Sequence, residues 1–307
     1  MKNAGRIATV LCLLSTPWLL GADGGCSGAP TPPPSDETVL GLSDLYLGNA
    51  PGQATCTASY GMVGYEPIAD GRYPVFFFMH GTFGDYRDAF CDVHIKEMAR
   101  RGFVAVALQY DNGLGLSCDE LQRKAECTFG STQASSAVAR VCARPKADCA
   151  RGIVVGGLSQ GAAMAVLARD HNAAVRAAYA LGASKLTDHD TTGAYSCGDA
   201  GRRALPVDRL RIIHGESDAL SSLAQIVQLS GVSCPPEQHD CLQPDGSGYY
   251  TVLDSEAQDG NAGHCVSAYA PREDCAGNVF DVGWAPPAMN RWSLLPNLDW
   301  LASFADR

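Results

Sequence analysis

The sequence predicts an α/β domain: a mostly parallel central sheet with helices on both faces. Three observations carry that expectation. Apolar runs such as Val75-Phe76-Phe77-Phe78-Met79 are continuous rather than alternating, the pattern of strands buried on both faces. These runs alternate with segments whose apolar residues fall at helical spacing. After residue 37 no internal repeat and no second Pro- or Gly-rich linker divides the chain, so 37–307 reads as a single domain with a substantial core.

The elements follow in order. Val39 to about Ile68 contains short apolar runs broken by glycine and proline, as antiparallel strands require. Asp70-Gly71 marks a turn, and Val75 to Met79 then reads as a buried central strand. Asp85 to Arg101 reads as a helix, with Phe90, Val93 or His94, and Met98 along one face and Gly102 just past its end. Phe103 to Leu108 is a strand. Asn112 to Ala150 holds four cysteines and is long for a plain connection, so a partly helical excursion is expected there, near the mouth of any site. Strands are expected at Ile153–Val155, Ala177–Leu181, Leu210–Ile213 and Tyr249–Leu253, with helices at Ala162–Arg169 and Leu294–Phe304.

The start of the chain has the character of an export signal. Lys2 and Arg6 precede the apolar stretch Ile7 to Leu20, and small residues at Gly21-Ala22 offer a cleavage site, so residues 1–22 read as a signal peptide. Pro17 and the short length argue against a spanning helix. Residues 23–36 read as a Pro- and Gly-rich linker. Within it Gly25-Cys26 resembles a bacterial lipoprotein acylation site, although Asp23 departs from the apolar residue usual there. Membrane attachment through lipidated Cys26 and free secretion both stand as readings.

Thirteen cysteines in an exported chain imply disulfides. Local spacing points to Cys118–Cys127, Cys142–Cys149, Cys234–Cys241 and Cys265–Cys275. Without Cys12 and Cys26 the count is odd, which leaves one thiol over. No C-x-x-C pair and no His/Cys cluster has zinc-ligand spacing, so no structural metal is expected; no organic cofactor is expected either. The net charge of −10 and the lack of basic runs exclude nucleic acid as an expected partner. The protein is expected to act as a monomer.

Chemistry is concentrated at Gly157-Leu158-Ser159-Gln160-Gly161. With 33 glycines in 307 residues, the pentapeptide arises by chance in about one such chain in four. Its flanks add weight, because Ile153-Val154-Val155 precedes it as a strand and an alanine-rich helix follows. That is the strand, sharp turn and helix of a nucleophile elbow, where a Cβ on either glycine would crowd a neighbouring element. A serine hydroxyl needs a general base, commonly histidine, held by a carboxylate. Both occur downstream in loops after strands: Asp218 after Leu210–Ile213, and His264 after Tyr249–Leu253. Glu216 competes with Asp218 but is expected to face solvent. His239 and His189 compete with His264, His239 being placed in a disulfide loop. His80 and His214 end strands and fit structural roles beside the site, while His94 and His171 fit packing or surface roles. Trp284 is a candidate pocket wall or simply a core residue.

These features together resemble the α/β-hydrolase superfamily, and within it the dienelactone hydrolase, platelet-activating-factor acetylhydrolase and polyester hydrolase branches. The matching residues are Gly71-Arg72-Tyr73-Pro74 leading into a strand and His80-Gly81, then Arg101-Gly102-Phe103-Val104-Ala105-Val106, the elbow, His214-Gly215-x-x-Asp218, and Gly263-His264. The resemblance spans about residues 65 to 265. It implies an α/β-hydrolase fold and a serine carboxylic ester hydrolase, with Ser159 as nucleophile, Asp218 as orienting acid and His264 as base. It also implies an oxyanion hole from the backbone N–H groups of Gln160 and Thr82, with Phe83 as the alternative to Thr82. Phe83 and Trp284 are candidates to line the substrate pocket. The substrate is then an ester, either a small molecule or, as the alternative, an extracellular polyester. A peptidase or acyltransferase on the same triad, and a catalytically inactive binding protein on the same scaffold, are further readings.

Overall fold

The antiparallel opening is a long hairpin, β1 (Val39–Asn49) and β2 (Cys56–Pro67), which pair from Val39 opposite Pro67 to Asn49 opposite Cys56. The computed structural model describes residues 29–53, 55–114, 117–183, 197–235, 237–267 and 279–306. The leader, Cys12, Cys26, His189 and Cys275 lie outside the described residues. The Pro-rich segment is seen from residue 29. It lies over the hairpin, where a Cβ on Gly41 would strike the Pro33 carbonyl.

After the hairpin come β3 (Val75–Met79), α1 (Ala89–Arg100), β4 (Val104–Leu108), α2 (Cys118–Phe129), α3 (Ala137–Cys142), β5 (Ile153–Leu158), α4 (Gln160–His171) and β6 (Val175–Leu181). The chain continues through β7 (Leu210–Gly215), α5 (Leu223–Ser230), β8 (Asp240–Leu242), β9 (Gly248–Val252) and α6 (Leu294–Ala302). The nine strands form one sheet in the order β1-β2-β4-β3-β5-β6-β7-β9-β8. The six strands from β4 to β9 in that order run parallel, while β1, β2 and β8 are antiparallel to their neighbours.

Helices on both faces explain why β3, β4, β5 and β7 are buried along their whole length. Strand pleating then divides the core in two. Phe77 and Met79 pack with residues of α2, α3 and α4, whereas Phe76 and Phe78 pack with residues of α1 and α6. Among the described residues no helix is long and apolar enough to cross a membrane.

The expected elements are present, with shifts that have local causes. Helix α1 begins at Ala89, four residues later than expected, because Asp85 builds a turn: its carboxylate accepts the Arg87 N–H at 2.8 Å and its carbonyl accepts the Asp88 N–H. Two elements escaped the sequence. Strand β8 has three residues, too few to show a period, and α5 has eight, although Ser222 and Gln225 form a capping box at its start.

Four disulfides are described. Cys142–Cys149 and Cys234–Cys241 are as expected. The expected Cys118–Cys127 bridge does not form. Both residues lie on α2, where nine residues of helix span about 13 Å, beyond disulfide reach. Cys118 pairs with Cys197 and Cys127 with Cys56, so each end of α2 is clipped to a different part of the chain. Cys265 is disulfide-bonded, while its expected partner Cys275 lies outside the described residues. The unpaired thiol among the described residues is Cys91, buried in α1, and burial pushes its pKa well up. Disulfides in this number belong to an oxidising environment such as that met on export.

Candidate active site

Ser159 occupies the tight turn between β5 and α4 with φ 54° and ψ −116°, a conformation that costs a non-glycine residue about 1–3 kcal/mol. The turn exists because both flanking glycines lack a Cβ. At Gly157 a Cβ would lie 2.7 Å from the Ala162 nitrogen and closer still to Gly161. At Gly161 it would strike the Met79 and His80 carbonyls at the end of β3. The serine is the N-cap of α4, yet its hydroxyl makes no capping bond and is left for other work. Its backbone N–H donates to the Leu181 carbonyl at 2.9 Å, which ties the turn to the end of β6. Gly161→Ala is expected to lower unfolding stability by about 3 kcal/mol, since the obstruction is backbone and cannot rotate away. A urea-unfolding midpoint equal to wild type would contradict this.

Asp218 and His264 are brought together as expected. His264 Nδ1–H donates to Asp218 Oδ2 at 2.9 Å; the carboxylate accepts only, so the ring proton sits on Nδ1 and leaves Nε2 with its lone pair. Gly182, at the end of β6 with φ +51°, backs onto the imidazole, and a Cβ there would stand 2.9 Å from the His264 carbonyl and 3.2 Å from Cε1. Ser159 and His264 thus flank the Leu181-Gly182 turn. His264 Nε2 is buried, and no hydrogen bond joins it to Ser159 Oγ or to any other described group.

Asp218 is held by more than its bond with His264. Its Oδ2 also accepts the Ser221 hydroxyl at 3.0 Å, and its Oδ1 accepts the Leu220 N–H at 2.8 Å. With that proton spent on Asp218, the Ser221 oxygen accepts from His214 Nδ1 at 3.2 Å. Burial alone would raise the Asp218 carboxyl pKa. The His214 imidazole 3.6 Å away, the His264 N–H and the Leu220 N–H outweigh burial and hold the carboxyl well below the usual range. Asp254 locks the acid loop to the histidine loop: its Oδ2 accepts the Ser217 hydroxyl and its Oδ1 accepts the Ala262 N–H, both at 2.8 Å. Glu216 faces solvent, as expected, and accepts the Asp254 N–H.

The oxyanion candidates separate cleanly. Phe83, the alternative donor, already donates its N–H to the Asn112 carbonyl at 3.2 Å and is set aside. The Thr82 and Gln160 N–H groups donate to no other described residue. Gly81 brings the Thr82 loop to Ser159, where its Cβ would lie 3.3 Å from Ser159 Cβ. Phe83 and Ser159 are the two described non-glycine residues with positive φ, and both border this point.

The remaining sequence candidates resolve as follows. Trp284 does not line a pocket: it is fully buried, with its ring stacked on Phe90 at 5.2 Å and tilted against His94 at 5.4 Å. Phe83 is 69% exposed. His80 is buried on Tyr110, contacting the Gly81 carbonyl at 2.8 Å and the Gln109 side chain at 3.0 Å. His94 is buried among aromatic rings, which pushes its pKa down to about 3. His171 bonds Gln122, and His239 packs against Tyr250 within the Cys234–Cys241 loop. Sequence reasoning missed Ser221, Asp254 and Lys124. Among the described residues no cluster of His, Cys, Asp or Glu is placed to hold a metal ion.

This strand order with its elbow is the α/β-hydrolase fold. No protein-family model and no curated protein matches the chain. Solved structures similar to it include a "Putative Dienelactone Hydrolase" from Klebsiella pneumoniae at 14% identity, covering 69% of this chain and 85% of that one, with a TM-score of 0.42. A hypothetical protein from Pseudomonas aeruginosa is similar at 20% identity over 50% of this chain, with a TM-score of 0.38. The match spans 45% of the Pseudomonas chain. The fold assignment stands on topology and elbow geometry, not on these likenesses.

Proposed function

We propose that the chain is a serine hydrolase that cleaves carboxylic esters through an acyl-enzyme. The observation that carries this reading is the Asp218–His264 pair, set across Leu181-Gly182 from a strained Ser159 whose hydroxyl has no structural use. His264 Nε2 takes the Ser159 proton as Oγ bonds to the ester carbonyl carbon. The carbonyl π pair moves to oxygen, and the Thr82 and Gln160 N–H groups hold that charge. Collapse breaks the bond to the alcohol oxygen, which receives the proton from His264. Water then repeats the sequence on the acyl-enzyme, releasing the acid and restoring Ser159. Asp218 keeps the base in its working tautomer and stabilises the imidazolium. Neither metal nor organic cofactor has a step in this sequence.

The disulfides support an exported protein, and we extend this to a signal peptide over residues 1–22 with Cys26 as the acylation site of a lipid-anchored form. A second reading, a polyester depolymerase, is favoured by three exposed apolar side chains. Phe83, Leu114 and Leu220 stand on the loops after β3, β4 and β7, at the sheet edge that carries Ser159. The test is a p-nitrophenyl ester series of rising acyl length, with an insoluble polyester film as the last member. Turnover of the soluble esters supports the hydrolase, and release of soluble acid from the film selects the second reading. A folded protein that turns over no member overturns both.

A further inference from the structure

Lysine is almost never fully buried unless paired, and Lys124 is 1% exposed in the middle of α2. It sits in the core stripe with Leu121, Ala125 and Thr128, a position where an apolar residue would be expected to cost less. Its Nζ donates to Gln160 Oε1 at 3.3 Å and lies 3.9 Å from Asp111 Oδ2. Asp111 is itself oriented by the Asn49 amide at 3.2 Å.

The Gln160 amide, also 1% exposed, is specified atom by atom. An ammonium only donates, so Oε1 must face Lys124. That directs both Nε2 hydrogens the other way, to Thr82 Oγ1 at 3.2 Å and the Gly113 carbonyl at 2.8 Å. Among the oxyanion candidates, Thr82 and Gln160 are the ones whose backbone N–H groups donate to no described residue. One side chain therefore ties the two donors together, and one buried cation holds that side chain. The cation is anchored in turn. Helix α2 starts with a capping box between Ser117 and Glu120, is clipped near one end to Cys197 and near the other to Cys56, and packs on α4.

We propose that Lys124 is a positioning residue of the oxyanion hole, setting the distance between the Thr82 and Gln160 donors through the Gln160 amide. The proposal rests on the ester-hydrolase reading above. It gives the cysteine-rich excursion between β4 and β5 a catalytic purpose: the two disulfides of α2 hold Lys124 under the nucleophile turn. It also explains why a charge is kept where an apolar side chain would serve packing.

The experiment compares wild type, Lys124→Met, Gln160→Leu and the double variant by kcat and KM on p-nitrophenyl butyrate, by the rate of fluorophosphonate addition, and by Tm. Lys124→Met is expected to lower kcat and the addition rate about tenfold with KM within about twofold, less than the loss of a whole oxyanion donor. The double variant is expected to be no slower than Gln160→Leu alone, because the lysine acts through that amide. A Lys124→Met protein with wild-type kcat, or a double variant in which the two losses multiply, overturns the proposal. Should Lys124→Met fail to fold, Lys124→Met/Asp111→Asn removes both charges and is read by the same criteria. Wild-type protein that takes no fluorophosphonate overturns the hydrolase reading and this inference with it. Wild-type protein that takes it no faster than Lys124→Met overturns this inference alone.

Discussion

Ser159→Ala is expected to lower kcat by about 10⁶-fold on a soluble ester, the scale seen when a triad nucleophile is removed. On the proposed mechanism, the substitution removes the one atom that would form the acyl bond and little else. The hydroxyl caps no helix, and the turn is held by its backbone bond to Leu181 and by the two glycines. Alanine in the same strained backbone is expected to leave Tm within a few degrees of wild type. The pairing of a very large kinetic loss with a small stability change separates a nucleophile from a structural turn serine. Residual activity within tenfold of wild type would assign the chemistry to another group.

Asp218→Asn is expected to lower kcat about 10⁴-fold with little change in KM. The asparagine amide that replaces Oδ2 donates, so His264 Nδ1 must accept. The ring proton then moves to Nε2, which keeps no lone pair to take the Ser159 proton in the proposed mechanism. The same substitution changes stability with a defined sign. The folded Asp218 carboxyl is held below its unfolded pKa, so the unfolded state binds more protons at acid pH. Its contribution is fully present above the unfolded value of about 3.9 and is lost as pH falls through the lower folded value. Wild-type stability should therefore decline more steeply than that of Asp218→Asn between about pH 5 and pH 2. Urea midpoints measured across that range check it. Parallel pH profiles for the two proteins would contradict the Asp218 assignment.

Much of this architecture was legible because its signals are local. The continuous apolar runs of β3, β4 and β5 announce strands buried on both faces, and Gly157 and Gly161 announce a turn that admits no Cβ. Ser159, Asp218 and His264 follow β5, β7 and β9 in chain order, so each candidate partner could be read from its own loop. What escaped depends on long-range geometry. Cys118 and Cys127 are close in sequence but become separated once α2 forms, and their partners Cys197 and Cys56 lie 79 and 71 residues away. The Phe83 N–H is spent on Asn112, which arrives from the neighbouring strand's loop. Lys124 offered a signal, a charge within the stripe of Leu121, Ala125 and Thr128. Its meaning required knowing that Gln160 would lie across from it. Trp284 carried no local sign to tell a pocket wall from a core ring, and it packs in the core with Phe90 and Phe280.

The central claim is that Ser159 is a nucleophile activated by His264 and Asp218, and covalent trapping tests it most directly. Purified wild-type protein treated with a fluorophosphonate and digested is expected to carry one phosphonyl adduct, on the peptide containing Gly157-Leu158-Ser159-Gln160-Gly161. Ser159→Ala should carry none, and Asp218→Asn should label far more slowly. Folded wild-type protein that remains unmodified, or an adduct on a residue other than Ser159, would contradict the account.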